Sequence, residues 1–419
     1  MTSLLNAFLG IGAVSFACLV VLLVALRVNV RYCLHAAGRM DDPDFLPTLE
    51  GLTNSSSRRI HAFELLTETA GIYAAMVAAI AAAQRTVTLE TYLFWSGQVA
   101  DTFVEALCDR ARAGVAVKLL FDADGSRHLS RATVKQLRAA GCELRFFRPF
   151  RWRQPVQYNH RTHRKLLVID GVVGFTGGIG VADMWLGPPP WLEVMARLEG
   201  GVVGILQGAF FQNWVIAGGA LDLGPRYFPV IQDDLAKPLG MVTNSAPIWG
   251  DSMVRLLYYA AICSSQRQLW LMSPYFLPGE DTIEALCERA RAGVDVRLVV
   301  PGPARDKSLP YFASRRLYGD LLEAGVQIYE YQPAMLHAKA MVVDGRWCTF
   351  GSTNFDPRSF FLNSELNVSV TDPQVAAAFL AFFEGALARS ERVTLAAWRT
   401  RPLHDRLIGA LGMVIRDQL

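Results

Sequence analysis

Two kinds of apolar spacing alternate along most of this chain. Residues 105–115 set apolar positions at helical intervals, reach Gly114 as a stop, and run into an alternating stretch at 115–121. The same order returns at 284–294, with Gly293 as the stop and an alternating stretch at 294–300. The repeat is nearly literal: Glu105-Ala106-Leu107-Cys108 reappears as Glu284-Ala285-Leu286-Cys287, and Arg110 to Val115 reappears as Arg289 to Val294. Upstream of each helix lies a β-rich run, at 86–94 and 269–276. Downstream come further helix–strand pairs at 137–147 and 321–331, with Gly141 and Gly325 at matching helix ends. Strand–helix–strand alternation in both halves predicts an α/β fold with one sheet per half.

The ends of the chain break this rhythm. Residues 7–26 carry no charge, and 19–26 are almost wholly aliphatic. About 20 such residues match the thickness of a bilayer core at about 1.5 Å per residue. A cleaved signal peptide is the rival reading, weakened because no Lys or Arg precedes the run and no small-x-small site closes it. An uncleaved N-terminal transmembrane helix in residues 1–30 is therefore expected. Arg27, Arg31 and Arg39 follow it, which places the remainder on the cytoplasmic side of a single-pass protein. Residues 31–60 read as a linker, from Pro43, Pro47, Gly51 and the run Asn54-Ser55-Ser56-Ser57. Beyond 395, residues 396–419 form a basic amphipathic tail. Its Leu403, Leu407, Ile408, Leu411, Val414 and Ile415 fall at helical spacing among arginines, which suits docking on the protein core or lying on a bilayer.

Composition adds little to this. The 419 residues are 52% hydrophobic with a formal charge of +3, and neither a nucleic-acid nor a membrane partner follows from so mild a balance. Seven cysteines without Cys-x-x-Cys spacing read as free thiols in a reducing compartment.

The chemistry lies in a pattern that occurs twice. His163-Lys165-Asp170 and His337-Lys339-Asp344 share the spacing His-x-Lys-x-x-x-x-Asp, and each is followed at one offset by a small pair, Gly177-Gly178 and Gly351-Ser352. One copy arises by chance in roughly a few per cent of chains this long. Two copies inside repeated halves do not. Strand periodicity turns His163 and Lys165 to one face, and likewise His337 and Lys339, while 166–169 and 340–343 bury the strand behind them. Asp-Gly at 170–171 and 344–345 is also a hairpin signal, so each Asp has a structural reading beside a catalytic one.

On these motifs the chain, from about 60 to 395, resembles the phospholipase D superfamily, and bacterial cardiolipin synthases most of all. The resemblance implies two similar lobes, each a mixed sheet flanked by helices, at 61–235 and 236–395, facing each other about a pseudo-twofold axis. The first carries roughly ten extra residues between Pro149 and His163. It further implies phosphatidyl transfer without metal or other cofactor. One His attacks phosphorus, the other protonates the departing alcohol and then deprotonates the incoming one, and the lysines offset phosphate charge. His163 is taken as nucleophile and His337 as acid/base. A carboxylate downstream of each motif would orient its imidazole: Glu365 fits the second lobe, and Glu193 is the first-lobe counterpart. Asn354 stands where the family places a phosphate-binding amide, whereas its first-lobe equivalent is Gly180, which leaves that half-site short of a donor.

The expected partners are anionic phospholipid and a bilayer surface, with no nucleic acid. Residues 145–153 interleave Arg with Phe and Trp just before the first motif, as an interfacial strip does, although such a strip can also track nucleic acid. A metal site at His160 and His163 is disfavoured by the adjacent Lys165. Neither a Gly-x-Ser-x-Gly elbow nor a Walker loop is present. Other readings remain: a phospholipase D hydrolase, a nuclease of the superfamily, and a catalytically silent lipid-binding scaffold.

Overall fold

A computed structural model describes residues 31–34, 38–245 and 252–418. The strands in chain order are β1 (Ser56–Arg59), β2 (Ala62–Leu66), β3 (Thr86–Thr91), β4 (Ala116–Asp122), β5 (Glu143–Phe147), β6 (Leu166–Ile169), β7 (Val173–Gly177) and β8 (Met195–Glu199). They continue with β9 (Leu239–Ser245), β10 (Gln268–Met272), β11 (Asp295–Pro301), β12 (Gln327–Tyr331), β13 (Ala340–Val343), β14 (Trp347–Gly351), β15 (Glu365–Thr371) and β16 (Ser390–Val393). They form two mixed sheets, ordered β2-β8-β7-β6-β3-β4-β5 and β1-β9-β15-β14-β13-β10-β11-β12-β16. Without the edge strands β1 and β16, the second order matches the first strand for strand. In each sheet the three strands that end the shared order are parallel and the rest antiparallel.

Both faces of each sheet are buried, which is why the central strands are apolar at every position rather than alternating. Leu166 and Val168 from β6, with Ala340 and Val342 from β13, enter one shared core that also takes the helices Val202–Ile216 and Pro373–Leu387. Leu167 and Ile169 face outward onto the helices Thr69–Ala82 and Gln98–Arg112. Met341 and Val343 face the helices Met253–Ser264 and Glu280–Arg291. The repeated helices stop at Gly114 and Gly293, with φ of +88° and +92°, a left-handed conformation that a residue without Cβ enters at little cost.

Asp170 and Asp344 belong to the fold and not to the site, which corrects their placement among the catalytic residues. Each sits at the far end of its strand, five residues beyond the lysine and so about 16 Å away at the usual strand rise. Each adopts φ of +54° in the hairpin turn. The Asp170 carboxylate accepts from the backbone N–H groups of Gln84, Arg85 and Thr86 at 2.7–2.9 Å. Asp344 does the same for Gln266, Arg267 and Gln268. The spacing shared by the two motifs thus ties each motif-bearing strand to the start of its neighbour.

The supposed linker is also partly structured. Phe45, Leu49 and Thr53 recur every four residues and are buried, so Phe45–Thr53 folds as a helix against Met253–Ser264, and β1 then extends the larger sheet along β9. The tail docks on protein: Gly409 and Gly412 of the helix Leu403–Val414 press on Phe312, Ala313 and Leu309 of the helix Ser308–Arg316. Its leucines face away from that contact. The expected transmembrane segment lies outside the described residues, among which no helix is long and apolar enough to cross a membrane.

Replacing Asp170 by Ala should remove about 2 kcal/mol of stability, because three backbone donors lose a charged acceptor at a turn that water partly reaches. Urea unfolding measures this. Turnover per folded molecule is expected to stay near wild type, and a collapse of turnover at unchanged stability would return Asp170 to the site.

Candidate active site

The two His-Lys pairs arrive at the junction of the sheets just before β6 and β13. At that point each approach segment hydrogen-bonds to the other half of the chain. Thr162 bridges Ser364, with His163 N–H donating to Ser364 O (2.9 Å) and Ser364 N–H to Arg161 O (2.8 Å). Leu336 bridges Leu192 in the equivalent place, with His337 N–H donating to Leu192 O (2.8 Å) and Leu192 N–H to Met335 O (2.9 Å). These short bridges set each imidazole beside a carboxylate one residue further along the partner segment.

The resulting pairs cross between halves. His163 Nδ1 lies 3.0 Å from Glu365 Oε1, and His337 Nδ1 lies 2.6 Å from Glu193 Oε2. This corrects the pairing within each half implied by sequence order, and the cause is the bridge register. With Nδ1 of each ring beside a carboxylate, Nε2 is the nitrogen turned away from it, and in His337 that atom lies 3.2 Å from Lys339 Nζ.

The two carboxylates are held differently. Glu365 also accepts from Ser352 Oγ (2.5 Å) and Asn363 Nδ2 (3.4 Å). Glu193 has no hydroxyl at the position equivalent to Ser352, where Gly178 packs so closely that an added Cβ would overlap the Glu193 carboxylate. Its remaining hydrogen bond comes from the backbone N–H of Val194 (3.0 Å). Glu193 therefore gives its charge to His337 with less sharing.

Burial governs the protonation of the cluster. It drives the His163 imidazole well below its usual pKa, with Lys165, Lys339 and His337 adding in the same direction. His337 is pushed down to about 4 by burial and by Lys339, against the upward pull of Glu193. Lys339 falls to about 8 through burial, and Lys165 falls well below the usual lysine value through burial and repulsion by Lys339. Glu365 rises to about 7 because it is wholly buried. The charges of the two His-Lys pairs act on one another across the junction, so the pairs lie close together there. Neutral imidazoles beside crowded, destabilised ammonium groups form a site whose missing stabiliser is an anion.

Aromatic rings wall this cluster. Tyr92 packs edge-on against His163 (5.3 Å between centroids), and Trp185 and Trp191 flank His337 (both 5.6 Å). Sequence reasoning missed Tyr92, Trp185 and the Ser352 hydroxyl as site residues; only Ser352 had a signal, as the odd member of the Gly177-Gly178 and Gly351-Ser352 comparison. Asn354 is buried three residues after β14, and its side-chain Oδ1 has no hydrogen-bond partner among the described residues. Gly180, opposite, has no room for an amide: a Cβ there would lie 2.9 Å from Leu93 and 3.1 Å from Trp185. Trp185 occupies the space that an Asn side chain would need.

Comparison with known proteins now decides the family. Residues 76–184 and 258–387 match the family model described as "Cardiolipin synthase, PLD-like domain", more than half of the chain. A cardiolipin synthase from Geobacillus thermodenitrificans is 34% identical over 85% of this chain and 72% of its own length. The chain belongs to the cardiolipin synthase family. A second cardiolipin synthase, from Geobacillus kaustophilus, is 38% identical over 72% of this chain, which spans 61% of that relative's length. Among solved structures, a phosphatidylserine synthase from Haemophilus influenzae superposes with a TM-score of 0.68 over 89% of this chain and 99% of its own, at 14% identity. That likeness speaks for the fold. Cardiolipin synthases are phospholipase D-type phosphatidyltransferases, and both motifs of this member lie inside the matched residues.

Binding of a phosphodiester analogue of constant charge should weaken as pH rises through about 8, since Lys339 is charged below that value and neutral above it. Titration calorimetry from about pH 6 to about pH 10 tests this. An affinity flat across the range would remove Lys339 from the anion site.

Proposed function

We propose that this protein joins two phosphatidylglycerol molecules into cardiolipin and releases glycerol, through a phosphohistidine on His163. The observation that carries the assignment of roles is the unequal support of the two imidazoles. His163 Nε2, with Nδ1–H held by Glu365, attacks phosphorus. The bond from phosphorus to the glycerol oxygen breaks, and that oxygen takes the proton from His337 Nε2. Glu193 stabilises His337 in its charged form once phosphate offsets the lysines. In the second half, His337 removes the proton of the incoming hydroxyl, its oxygen bonds to phosphorus, and the P–N bond to His163 breaks. Lys165, Lys339 and the Asn354 amide hold the non-bridging oxygens. Glu365 accepts from Nδ1–H as a carboxylate and offsets the positive charge that His163 gains when the P–N bond forms.

The strand orders support two lobes, at 61–235 and 236–395, about a pseudo-twofold axis, so that one phosphate is held from both sides. The uncharged run at 7–26, followed by arginines, supports a single-pass anchor with the catalytic part on the cytoplasmic face of a bacterial inner membrane.

Wild-type protein on phosphatidylglycerol vesicles should yield cardiolipin and glycerol by mass spectrometry, with His163→Ala reducing turnover by about 10³-fold or more. Phosphatidic acid as the sole product would mean that water replaces the acceptor alcohol. Unchanged turnover in His163→Ala and His337→Ala would end the mechanism.

A further inference from the structure

One short helix gathers three features that the chemistry above leaves unused. Pro357–Phe361 follows Asn354 and leads back into β15 and Glu365, so it forms part of the rim of the site. The turn Arg416–Gln418, which ends the C-terminal helix, packs on it. Asn159 links the two: its side-chain amide donates to Gln418 Oε1 (3.1 Å), and its carbonyl groups accept from Arg358. On the other side, the Arg255 guanidinium lies over both Phe361 (5.4 Å) and Tyr32 (4.3 Å). Tyr32 follows the uncharged run at 7–26 in sequence, and Arg31 beside it pairs with Glu280.

Exposed apolar groups lie on the two segments that the Asn159–Gln418 hydrogen bond joins. Leu403, Leu407 and Leu411 of the C-terminal helix are 63–69% exposed and fall within an arc of about 80°, at about 100° per residue, opposite the docked Gly409 and Gly412. The loop before Asn159 presents Phe150 and Trp152, 66% and 74% exposed, with Arg153 stacked on Trp152 (4.9 Å). Among the described residues, Arg151 and Arg153 meet no carboxylate within ion-pair distance. Rings and leucines beside unneutralised guanidinium groups are the complement of an anionic bilayer surface, apolar below and phosphate-bearing above.

We infer that the leucine stripe 403/407/411 and the Phe150–Arg153 loop form one face that lies in the headgroup region of an anionic phospholipid bilayer, and that this face sets the mouth of the site at the depth of lipid phosphates. The inference rests on the phosphatidyl-transfer reading for its activity measurement. It supplies what that reading lacks, a route by which a two-chain lipid reaches a buried phosphate site without leaving the membrane.

The test uses the full chain and two substrates. The double variant Leu407→Glu/Leu411→Glu should lose about tenfold or more in turnover on phosphatidylglycerol vesicles while staying within about twofold of wild type on a short-chain phosphatidylglycerol below its micellar concentration. Equal turnover on vesicles overturns the inference, and so does an equal loss on both substrates. Hydrogen exchange of the wild-type protein provides the second measurement: anionic vesicles should protect both 150–154 and 403–414 relative to detergent. Absence of protection, or protection that follows protein concentration without lipid and so marks a second copy, overturns the surface. Should wild type turn over neither substrate, the transfer reading fails, and hydrogen exchange still decides the surface.

Discussion

Two backbone bridges, Thr162 to Ser364 and Leu192 to Leu336, decide which carboxylate each catalytic imidazole meets. Neither is long enough to count as a sheet. Each contributes only two or three hydrogen bonds, yet a shift of one residue would turn His163 away from Glu365 and His337 away from Glu193. Arg164 reinforces the first bridge from beneath. Wholly buried, it donates to the backbone carbonyls of Ala209 and Glu365 and so ties the helix Val202–Ile216 to β15. The catalytic geometry is thus a property of the contact between the halves. Neither half contains a complete histidine–carboxylate pair.

That contact also explains the electrostatics. Bringing two lysines and two histidines into a buried junction is unfavourable in the absence of an anion, and the depressed basicity of all four records the strain. Among the described residues, the counter-charges with direct hydrogen bonds to these imidazoles are Glu193 and Glu365, and Glu365 is itself driven towards neutrality. A phosphodiester set between the pairs would relieve repulsion that the fold has already imposed, so affinity for an anion is built in.

The sequence made much of this legible because the chemistry sits on strands. Period-two spacing placed His163 with Lys165 and His337 with Lys339, and the four apolar residues after each pair mark out β6 and β13 residue for residue. The alternating repeats likewise located the helix–strand units around Gly114, Gly141, Gly293 and Gly325. What stayed hidden depends on contacts between segments some 140–200 residues apart. The crossing of Glu193 and Glu365 is of this kind. The filling of the Gly180 corner stayed hidden for a different reason, since packing of Trp185 and Leu93 against that glycine leaves no sequence pattern, and it makes the missing amide a packing consequence. The stretch around Phe45 misled because Pro, Gly and Ser outnumber its buried positions, although Phe45, Leu49 and Thr53 keep helical spacing.

The chain passes from one sheet to the other between β1 and β2 with only Ile60 and His61 between them. Ile60 N–H donates to Pro238 O beside β9, and the next residue, His61, donates to Glu199 O at the end of β8. A single extended ribbon is therefore stitched into both sheets within two residues. The N-terminal segment acts as a clasp across the duplicated halves, and a protein split between residues 235 and 236 would leave the larger sheet without an edge strand that its own sequence does not encode. Two sheets of matching strand order are thus fastened across residues 59–62 and committed to working as one body.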